Sequence, residues 1–276
     1  MLSLLALASS LVWGTSDFVA GVKAKQRPVA AVVGWSQAIG LLAMTIAVLV
    51  RSPHFADGDW PLWAALAGLT GSSALVCFYA ALSTGTMGVV APIASLGVVV
   101  PVALGVLGGE RPGIVVGVGI VVAVVGVLLA SGPELEGAVA RRPVLLAAAA
   151  GAGFGLTLFA IDQGGEHSIV NTLWGMRLTS VTCFAVAALL LRRAGGMTAA
   201  DVPVLVFVGL ADLAANALFA LASTGGYVSV ASVLASLYPV VTAGLAYAVL
   251  NERLRPVQIA GAAATMLGVV LIAAGA

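Results

Sequence analysis

Arg177 stands inside NTLWGMRLTSVTCFAVAALLL, residues 171–191, a run otherwise apolar enough for a bilayer interior. A guanidinium keeps its charge under nearly all conditions, and taking it to the middle of a bilayer costs between about 3 and 17 kcal/mol. An arginine in that position therefore faces protein or a hydrated cavity, where its planar fork can hold a carboxylate or a phosphate through paired hydrogen bonds. Asp212 and Asn216 are four residues apart and share one helical face. Asp212 lies about 14 Å into the membrane, counted from Pro203, which is near the midplane. Its chemistry is that of a substrate or proton site, with an interhelical hydrogen bond as the plainer alternative. Gln37, Trp13 and Tyr238 fall at comparable depth and would complete a cavity with polar and aromatic walls.

Counting from the span ends separates the two charges. Arg177 comes out about 22 Å above the face from which Asp212 is about 14 Å, and side-chain lean on antiparallel helices widens the gap. A direct Arg177–Asp212 ion pair is therefore not expected, and Asn216 is the residue level with Arg177. Arg177 is expected to receive an anionic group of a substrate, the structural alternative being a pairing with carbonyls or with Asp162. If transport is proton-driven, Asp212 is the expected carrier of the proton. Asp17, about 9 Å from the interface marked by Lys23, reads as structural or interfacial. Glu110 and Glu252 end the fourth and ninth apolar spans beside Arg111 and Arg253. They read as interfacial carboxylates, solvated or paired with those neighbours, with a gating role as the sharper alternative. His54 and His167 fall in loops and lack the partners of a metal site.

The elements that must position these residues follow from composition. Of 276 residues, 61% are hydrophobic and 8% charged, where a soluble domain would carry roughly 25% charge. The chain reads as an all-α integral membrane protein. Apolar runs near 2–22, 29–50, 61–83, 87–109, 113–131, 144–162, 169–191, 203–223, 227–250 and 256–275 can each cross as a helix. Lys23, Lys25 and Arg27 follow the first run and no basic stretch precedes it, so it reads as a retained helix rather than a signal peptide. Cys77 and Cys183 are expected as free, buried thiols. Gly113, Gly117, Gly119 and Gly126 recur at intervals that suit close helix packing. Pro92, Pro101 and Pro239 are expected to kink or break their spans.

The one sizeable linker, GPELEGAVARRP at 132–143, falls at the midpoint, and the halves on either side match. FYAALSTGTMGVVAPIASL from Phe78 matches LFALASTGGYVSVASVLASL from Leu218, Glu110 matches Glu252, and Trp13-Gly14 matches Phe154-Gly155. Residues 1–131 and 144–276 thus read as two five-helix repeats. An odd number of crossings per repeat inverts the second relative to the first, giving ten transmembrane helices, an architecture of transporters with the site between the halves.

LVWGTSDFVAG at 11–21, the GER and NER helix ends, and DLAANALFALAS with SVLASLYPVVT resemble the EamA-like family of the drug/metabolite transporter superfamily, over essentially the whole chain. The resemblance implies a ten-helix, basket-shaped carrier of small metabolites or drugs, commonly an exporter, without naming the substrate. The chain departs from symmetry where Pro112 directly follows the first GER while the second half reads NERLRP.

A secondary transporter of a small molecule across the cytoplasmic membrane is the expected function, with exchange, facilitated diffusion and proton coupling all open. A facilitative channel-like permease or a structural or receptor protein is the alternative. No selectivity filter or charge ring is visible for a channel, no convergent catalytic motif for an enzyme, and no basic stripe for nucleic acid. No Walker motif occurs, and no cofactor or metal is implied. The partners expected are the substrate and the lipid bilayer, with monomer and homodimer both open. Lys23, Lys25, Arg27, Arg141, Arg142, Arg192, Arg193, Arg253 and Arg255 fall on one set of loops, and Arg51 and Arg111 on the other. Positive charge marks the cytoplasmic side, so both termini are expected outside; the resemblance implies both inside.

Overall fold

Away from water every backbone N–H and C=O must be satisfied within its own segment, and the chain meets that demand with helices. The computed structural model describes residues 2–51, 57–100, 113–131, 141–191, 195–224, 231 and 234–275. Among these there is no strand. The helices are α1 (Leu2–Ala24), α2 (Val29–Arg51), α3 (Trp60–Thr84), α4 (Met87–Ser95), α5 (Ile114–Ser131), α6 (Arg141–Leu191), α7 (Val202–Thr224), α8 (Tyr238–Leu250) and α9 (Pro256–Gly275). Five of them, α1, α2, α3, α6 and α7, are long and apolar enough to cross a membrane, and α5, α8 and α9 are shorter apolar helices. Their outer faces carry exposed large apolar side chains such as Val50, Ile114 and Leu190, a surface that meets lipid rather than water.

Straight, α6 would run about 76 Å, more than twice the hydrocarbon thickness. It is not straight: Ser168 has extended backbone, φ −167° and ψ 112°. Packing against α3 shows what the break does. Gly153 lies on Ala74 and Gly71 on Thr157, so the arm before the break runs opposite to α3. Gly175 lies on Ala64 and Ser180 Oγ donates to Gly68 O at 3.0 Å, so the arm after it runs with α3. The two arms form a hairpin with α3 against both. Sequence reading expects a loop between spans 144–162 and 169–191; helical structure instead continues through residues 163–167 and turns within one residue.

The two halves make the same contacts. A methyl group on Gly14 would strike Tyr238 O and Val241 Cβ of α8. One on Gly155 would strike Gly97 O and Val100 Cβ, the positions that match Tyr238 and Val241 in the other half. Direction is reversed between the halves: Asp17 meets Tyr79 and Gly21 meets Leu82, so α1 runs with α3, and the first arm of α6, which carries Gly155, runs against both.

The breaks in the fourth and ninth spans take different forms. α4 holds Pro92 and passes into a 3-10 turn at Leu96–Val98. Pro239 instead occupies the first turn of α8, where its missing N–H has no partner to lose. Pro101 and Glu110 lie outside the described residues, as does most of the linker at 132–143.

Three packing expectations change. Cys183 is a free thiol as expected but exposed, and Cys77 is half-buried, because apolar runs here face lipid as often as protein. Gly126 packs on Gly261 and Thr265 of α9, yet the exposed Gly113, just before α5, and Gly117, within it, meet no neighbour among the described residues. His167 comes against Gly58, joining the turn before α3 to the α6 break; His54 lies outside the described residues.

Candidate functional site

Close backbone approach positions the polar groups. A Cβ on Gly209 of α7 would strike the Ser36 carbonyl of α2, and Gln37 and Asp212 stand beside that contact. α1 is stitched to α7 by Ser9 Oγ donating to Ala215 O at 2.8 Å and Ser16 Oγ donating to Val208 O at 3.4 Å. Trp13 lies between those serines and so reaches Asp212. Small residues at helix crossings do here what they commonly do in membranes: they bring polar side chains of different helices within bonding distance.

The result is a cavity of about 750 Å³, its mouth included, walled by both repeats. Trp13, Gln37, Arg177, Asp212, Asn216 and Tyr238 all line it. Trp13 Nε1 donates to Asp212 Oδ1 at 3.2 Å, Asn216 Nδ2 to the same oxygen at 3.1 Å, and Gln37 Nε2 to Oδ2 at 3.3 Å. Arg177 Nη1 lies 2.7 Å from Oδ2 and also donates to Gln37 Oε1. Arg177 is 2% exposed, and among the described residues its Nε and Nη2 have no hydrogen-bond partner; neither has the Tyr238 hydroxyl. Leaving such donors buried and unmade costs roughly 1–3 kcal/mol each, more on a charged group. The aromatic wall continues through Phe154 and Tyr238, both edge-on to Phe78 with ring centres 5.5 and 6.1 Å away.

The direct Arg177–Asp212 pair corrects the depth count. That count assumes Leu191 and Val202 end at one level, but a ten-residue connection separates them and lets the helices slide relative to one another. The long arginine stem covers what offset remains. Asp162 is not the partner of Arg177.

Asp17 is the residue that sequence reading leaves out of the site. It is 6% exposed, lines the cavity, and accepts a hydrogen bond from Tyr79 Oη at 3.3 Å. Its spacing of four from Trp13 is the signal that puts both on one face; counting depth from Lys23 obscures it.

Glu252 corrects another expectation. It is half-buried and is not paired with Arg253: its Oε1 accepts the Gly88 N–H at 2.9 Å. Gly88 is in the first turn of α4, whose free amides and dipole favour a carboxylate. Arg253 stacks instead on Tyr247, its guanidinium carbon 4.3 Å from the ring centre. A second contact between the halves lies at the same end of the helices. Asp201, before α7, pairs with Lys23 and with Arg27 Nε at 3.0 Å. Arg27 also donates to Gly196 O at 3.0 Å and Thr198 Oγ1 at 3.1 Å. Together these contacts clasp the two repeats below the cavity.

Fold and site define a multi-pass membrane protein of two helical repeats with a largely apolar cavity, carrying a few polar groups, between them. The model of the EamA-like transporter family matches residues 1–132 and 141–274, one match per repeat, and the chain belongs to that family of drug/metabolite transporters. A solved structure described only as "Crystal structure of protein" matches the fold at a TM-score of 0.70 and 18% identity, over 98% of this chain and 96% of that one. No curated protein matches.

Proposed function

We propose that this transporter is a secondary carrier, of ten crossings in two five-helix repeats, that moves a small molecule bearing an anionic group across the cytoplasmic membrane. The anionic group is received by Arg177. One observation carries the reading: among the described residues, Nε and Nη2 of a buried arginine stand without partners on the wall of a cavity between the repeats. Asp212, itself held by Asn216, and Gln37 hold the guanidinium in place by Nη1, while Trp13 and Tyr238 offer flat apolar walls and the Tyr238 hydroxyl a further donor. The protein performs no chemistry on its cargo, and its partners are that cargo and the bilayer. Exchange between the two faces follows from repeats that make equivalent contacts in opposite directions, since either end can be the clasped one.

Purified protein in vesicles, loaded with a panel of carboxylate- and phosphate-bearing metabolites beside neutral and cationic ones, tests this. Saturable uptake with counterflow, confined to anionic or zwitterionic compounds, is expected. Transport of neutral or cationic compounds alone, or flux that does not saturate, contradicts it.

A further inference from the structure

The cavity holds two aspartates in unlike settings. Asp212 is paired with Arg177 and accepts from Trp13, Gln37 and Asn216. Asp17 has no ion pair among the described residues, and its hydrogen-bond donor is a neutral phenol. The groups that face it from the helices against α1 give it no compensating cation at bonding distance: Tyr79 from α3, Asp212 from α7 and Tyr238 from α8, with Gln37 uncharged on α2 and Arg177 already turned to Asp212. On α1 itself, Lys23 is committed to Asp201. A buried carboxylate without a counter-charge is expensive by several kcal/mol, and a membrane protein keeps such a group where it works.

We propose that Asp17 is the protonatable carboxyl of the transport cycle. It holds a proton while the cavity is closed and bonded as here. When the cavity fills with water from one face, the proton passes to that water and leaves the carboxylate, which Tyr79 Oη stabilises by its hydrogen bond. When the cavity opens to the other face, the carboxylate takes a proton from water there. One proton moves per cycle and no other bond changes. Asp212 stays bonded to Arg177 and orients it. The proposal rests on the carrier reading above, but its test needs no substrate, so the two can fail separately.

The test is infrared spectroscopy of the purified protein in lipid nanodiscs across a pH series, following the carbonyl stretch of a protonated carboxylic acid. The band should be present, fade as the pH rises while the protein stays folded, vanish in Asp17→Asn and persist in Asp212→Asn. Tyr79→Phe keeps the carboxyl and should shift the pH at which the band fades, which preserves the test if Asp17→Asn does not fold. A band lost in Asp212→Asn and kept in Asp17→Asn gives the role to Asp212 and overturns the proposal. So does a band that persists at every pH, which marks a carboxylic acid that never exchanges its proton.

Discussion

Arg177 Nη1 lies 2.7 Å from Asp212 Oδ2, and the other two nitrogens of the same guanidinium are buried with no partner among the described residues. Half of the group is anchored and half is vacant. Removing the anchor leaves an uncompensated buried charge, which costs about 3–5 kcal/mol. Asp212→Ala should therefore lower the thermal stability of the purified protein sharply, and Asp212→Ala combined with Arg177→Met should recover much of the loss. A single variant as stable as the parent would show that the pair carries no structural weight.

Gly14 and Gly155 should behave as twins. Added methyl groups meet backbone carbonyls of Tyr238 and Gly97, which cannot move aside as a flexible side chain would. Overpacking of this kind costs about 1–3 kcal/mol. Gly14→Ala and Gly155→Ala should each depress the melting temperature by similar amounts, while Gly117→Ala, whose methyl group meets none of the described residues, should not.

The clasp formed by Lys23, Arg27 and Asp201, with Glu252 on the Gly88 amide, should govern opening at that end. In a chain with Cys77 and Cys183 replaced and a cysteine introduced at Ser72 in the cavity wall, Asp201→Asn with Glu252→Gln should speed labelling by a water-soluble maleimide several-fold. Unchanged labelling would make the clasp a static tie.

Much of this was legible from residue types. The match of Trp13-Gly14 with Phe154-Gly155 anticipates a contact made twice, and all six residues chosen for polarity at mid-depth, Arg177 and Asp212 among them, line one cavity. What was not legible depends on relative displacement of helices. Rise per residue gives depth within one helix, but the level of Asp212 against Arg177 depends on the connection between Leu191 and Val202. The use of Glu252 was hidden for the same reason, because its partner is a backbone amide in the other repeat. Gly113 and Gly117 were misjudged because small residues on a lipid-facing surface look like small residues in a contact.

Orientation separates charge from resemblance. Lys23, Arg27, Arg253 and Arg255 belong to the clasped end, which the positive-inside rule predicts to be cytoplasmic. A C-terminal alkaline phosphatase fusion should be active and a cytoplasmic reporter fused at the same point silent. The reverse pattern would invert the protein.

Arg177→Lys tests the central claim most directly. Lysine keeps the charge beside Asp212 but has no second edge to offer, so it removes the vacant Nε and Nη2 donors and little else. Binding of the most strongly transported anion in the vesicle panel should weaken about 10- to 100-fold, the worth of charge-assisted hydrogen bonds of roughly 1.5–3 kcal/mol, with the melting temperature nearly unchanged. A lysine variant that binds the anion as well as the parent but melts far lower would make Arg177 a strut and contradict the account.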